Sequence, residues 1–284
     1  MRLLMFDDHR LGAATDAGVV DVTAIVGESV PPRDRMTALI TRWEILSSEV
    51  ERAAANGPAL DRDTIVVRAP QPRPSKIIAA PVNYRLHQEE MGGEHGVYEG
   101  AAIADIDTYA GFVEAPSSIV GPDRAIELPF RDRRVDYEGE LGVVIGRRAS
   151  RVSRAQALSH VFGYVPLLDI TMRGEEDRSF RKSFDTFTPI GPEIVTADEV
   201  GDIGPLELEL RLNGDVRQRA SMSDLIHDVP RLISRYSEVM TLEPGDLIAT
   251  GTPDGVGPLA PGDEIELSIR RIGRLRMSVV ARDG

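Results

Sequence analysis

The 284-residue chain has no cysteine, which excludes disulfides, thiolate metal sites and cysteine nucleophiles. Lysine is nearly as scarce: of 33 basic side chains, only Lys76 and Lys182 are lysines. No apolar run reaches the ~18 residues that a membrane span needs. The opening "MRLLMFDDHR" turns acidic too soon for a signal peptide, and the cytosol is the default expectation for the compartment. Repeats and low-complexity tracts are also missing. Positive charge is outweighed, with a formal net charge of −13, and this opposes nucleic acid or an anionic membrane as the main partner. What remains is ordinary globular composition, 42% hydrophobic and 28% charged, enough for one large or two modest domains.

Residues 1–27 hold short alternating segments with glycine between them, the pattern of small antiparallel strands. A helical period runs over 33–56 through Met36, Leu39, Ile40, Trp43, Ile45 and Leu46. "RAPQPRPSK" (68–76) has three prolines and no periodicity, which places a boundary near residue 72. The expected organisation is a small N-terminal α+β domain (1–72) followed by a larger domain (73–284). Beyond Lys76 strands dominate, so the fold class is α+β, predominantly β. The Gly-rich stretch 91–112 reads as a loop or lid, and a short helix is expected at "SRAQALSHV". Asn213-Gly214 marks a hairpin. Asp228 caps a helix with Pro230 in its first turn.

Within "VDYEGELGVVIG" (135–146), Val135, Tyr137, Leu141, Val143 and Ile145 alternate as a buried face, while Asp136, Glu138 and Glu140 share the opposite one. Stacked like charges are destabilising. Either that face is solvated, or Glu138 and Glu140 hold one hard cation, Mg²⁺, Mn²⁺ or Ca²⁺. Asp169 is the only charge in "YVPLLDIT". It either caps a strand end or joins the glutamates in a three-carboxylate site, because a buried, unpartnered carboxylate is costly. His87 precedes Glu90 by three residues, a spacing that on a helix lets a carboxylate orient an imidazole as general base. His95 lies in the lid stretch, and the other histidines lack such company. Lys182 stands out in an Arg-rich chain, since an ammonium is compact and tunable where a guanidinium is not. "ATGTPDGVG" (249–257) is neither a Walker A nor a dinucleotide fingerprint. It is a plain turn, or a loop that brings backbone N–H groups and Thr252 to a ligand.

Together these stretches resemble the fumarylacetoacetate hydrolase (FAH) family. The matching strings are "NYRLH" with Glu90, "APSSIVGP", "VDYEGELGVVIG", "FGYVPLLDIT", "KSFDTFTPIGPEIVT", "NGDVRQ", "MTLEPGDLIATGTPDGVG" and "PGDEIELSI" with "IGRLR", in the family's order over residues 76–280. The resemblance implies a mixed β-sandwich roll behind a small N-terminal domain, a homodimer, and a divalent ion, typically Mg²⁺, at Glu138, Glu140 and Asp169. It implies that His87 with Glu90 activates water and that Lys182 holds charge developing on a dicarbonyl or 2-oxo acid substrate, a charge that Thr252 is also expected to help hold.

The expected activity is Mg²⁺-dependent hydrolysis of a C–C bond in an acylpyruvate or related β-diketo acid. The alternatives are a decarboxylase, enol–keto isomerase or cyclase on the same substrate class, and a non-catalytic binding scaffold. Three positions depart from the family pattern: Pro81 stands for a usual glycine, Glu114 for a lysine and Leu168 for an asparagine. "MRGEEDRS" also replaces a familiar Arg-Asp-Leu-Gln pattern.

Overall fold

Alternating apolar residues start the chain as a strand buried on both faces: Leu3 and Met5 enter one core, Leu4 and Phe6 another. In the computed structural model, which describes residues 1–92 and 106–282, Arg2–Phe6, Arg10–Thr15 and Gly18–Asp21 form an antiparallel meander. The period over 33–56 resolves into two helices, Arg35–Thr41 and Trp43–Asn56. Arg42 breaks them with φ −108° and ψ 15°, and its guanidinium donates to the Val26 carbonyl at 2.7 Å. The break resets the helical phase. Ile45, expected on the buried face, is 81% exposed, while Leu46 and Val50 face the core.

Arg2–Phe6 also pairs antiparallel with Ile194–Thr196, so the meander continues into an eleven-stranded sheet. Beyond Ile194–Thr196 that sheet runs through Val161–Leu168, Gly139–Ile145, Leu247–Ala249, Ile77–Ala79 and Phe112–Glu114. A five-stranded sheet contains the hairpin Glu207–Leu212 and Asp215–Ser221, followed by Glu264–Ile269, Gly273–Ala281 and Ile126–Leu128. The hairpin turns at Asn213-Gly214, both with positive φ, 53° and 88°, as its right-handed twist favours. Leu208, Leu210, Leu267 and Leu275 share a core with Leu141, Val143 and Ile145. The class is therefore α+β and strand-rich.

Helix Val229–Val239 follows its cap, with Asp228 accepting from the Arg231 N–H at 2.9 Å. The helix expected at "SRAQALSHV" is instead a 3₁₀ turn, Ala157–His160. Of the stretch expected as a lid, residues 93–105, including His95, lie outside the described residues. Ile106–Tyr109 is a helical turn, and Phe112–Glu114 is a strand antiparallel to Ile77–Ala79. Among the described residues no helix is long and apolar enough to cross a membrane.

Candidate active site

Strand Gly139–Ile145 is buried along its whole length. Leu141, Val143 and Ile145 enter the core shared by the two sheets, and Val144 enters the core on the N-terminal side. Its partner Val161–Leu168 runs antiparallel in a register that sets Gly139 opposite Leu168. That register brings Asp169, just past the strand end, against Glu138, and the Asp169 N–H donates to the Glu138 carbonyl at 2.8 Å. Glu138, Glu140 and Asp169 converge, each offering one oxygen within 4.8 Å of the others, and all three are buried. Asp136 does not join them. Its carboxylate takes Arg134 Nε at 2.7 Å and Arg173 Nε at 2.6 Å.

Lys182 ends helix Arg178–Lys182 and places Nζ 2.8 Å from Glu138 Oε2 and 2.5 Å from Asp169 Oδ2. An ammonium has three N–H donors, so one remains beyond these two bonds. Arg173 adds a bond to Glu138 Oε1 at 3.0 Å. Burial pushes Glu138 up, but Lys182 and Arg173 outweigh it and hold the group down at about 2. Burial raises Asp169 to about 6 despite Lys182. Burial, reinforced by Asp169, drives Glu140 well above the usual carboxylate range. Burial opposes the Lys182 charge, yet Asp169, Glu138, Glu114 and Glu140 together raise its pKa.

Glu114 is a fourth carboxyl in this cluster. It is fully buried, accepts from Thr188 Oγ1 at 3.1 Å, and is pushed well up by burial and then by Asp169. The departure from the family's lysine marked this position, but its strand carries no apolar alternation that would have shown the side chain pointing inward. Arg173 and Thr171 also line the cleft. They lie in the segment around "MRGEEDRS", whose sequence has no signal for them. Pro81 lines the same cleft, whereas Leu168 is in the hydrophobic core.

His87 lies on helix Arg85–Gly92, and its Nδ1 is 2.9 Å from Glu90 Oε2. The other Glu90 oxygen accepts from the Gly255 N–H at 3.0 Å. Gly255 has φ 91°, and a Cβ there would meet the Arg217 carbonyl oxygen at 2.0 Å, so only glycine lets this loop reach Glu90. The neighbouring Gly251 (φ 97°) donates its N–H to Glu140 Oε2 at 2.7 Å. Asn83 anchors the turn before the helix: Nδ2 donates to the carbonyls of His227 and Thr250 at 2.9 and 2.8 Å, and Oδ1 accepts from the His227 N–H at 2.7 Å. Those bonds help hold Val82, which faces the cleft, at φ 37°, a conformation that β-branched residues disfavour. Thr252 lines the cleft with its hydroxyl engaged, donating to Gly139 O at 3.1 Å and accepting from Gln218 Nε2 at 2.8 Å.

The residues fit a divalent cation. Among the described residues Asp169 Oδ1 is buried with no hydrogen-bond partner, and such an oxygen is costly unless something positive meets it. The donors are all carboxylate oxygens, which suits a hard ion. A buried three-carboxylate centre, a lysine shared between two of its members and a carboxylate-bound histidine in one cleft describe a metal-dependent enzyme.

Residues 76–280 match the model for the fumarylacetoacetate hydrolase C-terminal domain, and the chain belongs to that family of enzymes. It is 38% identical over 284 residues to a maleylpyruvate hydrolase of Aquipseudomonas alcaligenes, covering 98% of this chain and 99% of that protein. An oxaloacetate tautomerase of Bacillus subtilis is 40% identical over 224 residues, 74% of this chain and 72% of that one. Among solved structures, maleylpyruvate hydrolase from Sphingobium sp. SYK-6, in complex with manganese(II) and pyruvate, superposes with a TM-score of 0.87 at 38% identity over 100% of both chains.

Proposed function

We propose that the protein hydrolyses the C–C bond of an acylpyruvate, with Glu138, Glu140 and Asp169 holding Mg²⁺ or Mn²⁺. The observation that carries this reading is the placement of the His87–Glu90 pair and the Lys182–carboxylate cluster in one cleft. The manganese and pyruvate in the Sphingobium structure support it. When bound, the ion would supply Lewis-acid polarisation of the 2-oxo acid end of the substrate.

With Nδ1 committed to Glu90, His87 has Nε2 left to take a proton from water. The resulting hydroxide adds to the distal carbonyl carbon. The bond between that carbon and the methylene then breaks, its electron pair passes to the departing pyruvate enolate, and a proton returned to the methylene carbon completes pyruvate and the second acid. Lys182 has an N–H free for the charge that builds on the enolate oxygen. Thr252, whose hydroxyl hydrogen is directed at Gly139 O, positions the Gly139–Ile145 strand.

The similarity to an oxaloacetate tautomerase supports a second reading, in which the same groups move a proton between carbon and oxygen without adding water. Mass spectrometry, together with ultraviolet absorbance of the enol, of acetylpyruvate and oxaloacetate incubated with Mn²⁺- or Mg²⁺-loaded protein and with a chelated control separates the two. Metal-dependent acetate and pyruvate establish hydrolysis. Enol–keto exchange of oxaloacetate at constant mass, with acetylpyruvate untouched, establishes tautomerisation. Silence on both, and on maleylpyruvate as well, would sink both readings.

A further inference from the structure

Three arginines line the cleft, and two are committed. Arg173 is bonded to the carboxylates of Asp136 and Glu138. Arg181 donates to the carbonyls of Glu176 and Met172. Arg178 differs: among the described residues its guanidinium pairs with no carboxylate and no carbonyl. Two aromatic rings hold it instead, with Cζ 5.5 Å from the centroid of Phe112 and 6.0 Å from that of Tyr109. Stacking occupies the face of a guanidinium and leaves its edge donors free.

Arg178 precedes Lys182 by four residues in helix Arg178–Lys182. The two cations therefore project from one side of the helix, about one turn or ~6 Å apart along its axis. Lys182 Nζ lies 5.5 Å from the same Phe112 ring. The cleft thus has a cation at the carboxylate cluster and a second, unspent one a turn away. Glu138 and Asp169 would repel any further anionic group on the substrate that lacked a cation of its own.

We propose that Arg178 binds a carboxylate at the acyl end of the substrate, so that the enzyme selects acylpyruvates carrying a second, distal acid group. This rests on the acylpyruvate reading above. The 2-oxo acid end would sit at the Lys182 end of the cleft. The fork of Arg178 would take the far carboxylate in two parallel hydrogen bonds.

The test compares kcat/KM for maleylpyruvate, which has the distal carboxylate, and acetylpyruvate, which lacks it. The Mn²⁺-loaded wild type, Arg178→Gln and Arg178→Lys are measured on both substrates. The wild type should prefer maleylpyruvate. In Arg178→Gln that preference should fall about 10- to 100-fold, mainly through KM, the worth of a charge-assisted pair. Arg178→Lys keeps a cation over the rings and should recover part of it. An unchanged preference in Arg178→Gln, an equal loss on both substrates, or a wild type without the preference would each overturn the assignment while leaving the hydrolase reading intact. If Arg178→Gln does not fold, the Lys variant still decides: it must fall between wild type and no preference. Wild type inactive on both substrates would sink the hydrolase reading, and the role of Arg178 with it.

Discussion

Lys182 Nζ lies 2.5 Å from Asp169 Oδ2 and is held there from a separate element, a short helix that begins after the Asp177 cap. The same nitrogen reaches Glu138, so one buried ammonium offsets two buried carboxylates. Removing one partner of a buried pair is far more costly than removing both. Lys182→Met should therefore destabilise the metal-free protein by about 3–5 kcal/mol, less when Mn²⁺ is present, as read from urea unfolding with and without chelator. Lys182→Arg should not restore activity, because a planar guanidinium cannot take the position of a compact ammonium. Near-normal turnover in Lys182→Arg would make Lys182 an interchangeable counter-charge.

Glu140→Gln keeps an acceptor for the Gly251 N–H but removes a ligand charge. Metal affinity should fall by more than ~100-fold, beyond what losing a supporting partner costs. The metal-free fold should gain thermal stability, because burial and Asp169 hold the Glu140 pKa well above its ordinary value. Calorimetric titration with Mn²⁺ and a melting curve in chelator read the two effects. Unchanged Mn²⁺ affinity would remove Glu140 from the ligand set.

The carboxyls also set a pH dependence. Burial raises Asp169 from 3.8 to about 6, so the folded metal-free chain keeps a proton that the unfolded chain has released. A raised pKa contributes stability that is complete below the unfolded value and is lost as pH climbs through the folded one. For Asp169 the loss is on the order of 3 kcal/mol between about pH 4 and pH 6. Glu140 and Glu114 act in the same direction. Glu138, held at about 2, contributes stability present above about pH 4.5, so it does not oppose the trend there. Metal-free protein should therefore melt at a lower temperature at pH 7.5 than at pH 5. Mn²⁺ should reverse the order, since ligands must be deprotonated to bind it. A chelated melting point that rises over this interval would contradict the burial of these groups.

His87→Ala should lower kcat by about 10²- to 10⁴-fold with Mn²⁺ affinity preserved, because the imidazole is absent from the carboxylate triad. Glu90→Gln should have a smaller effect and should shift the pH–rate profile, since it replaces the anion bonded to His87 Nδ1. If proton exchange on oxaloacetate survives His87→Ala while acetylpyruvate cleavage is lost, water activation and enolate handling belong to different residues.

Much of the site was legible in the chain because it sits on regular elements. The spacing of His87 and Glu90 required only a helix, and Arg85–Gly92 is one. Glu138 and Glu140 lie two residues apart in an otherwise apolar segment, a pattern that states its own conflict. Asp136 shares that parity but was not among the expected ligands, and two arginines from outside the strand claim its carboxylate. Ile45 fits a helical period that Arg42 interrupts.

The sequence alone determined the kinds of group present: acids in an apolar strand, one unusual lysine, a histidine with a carboxylate one turn away, and glycines in the loop after Ala249. Composition, periodicity and local spacing act over a few residues, so they reach no further. Tertiary structure decided that Asp169 meets Glu138 through the register of a hairpin, and that Lys182 reaches both. It also decided that Glu114 turns inward from a distant strand, and that Arg178, among the described residues, is left without an acid partner while Arg173 is consumed. Each of these depends on which distant segments exclude water from one another, because burial is what turns a nearby charge into a strong interaction.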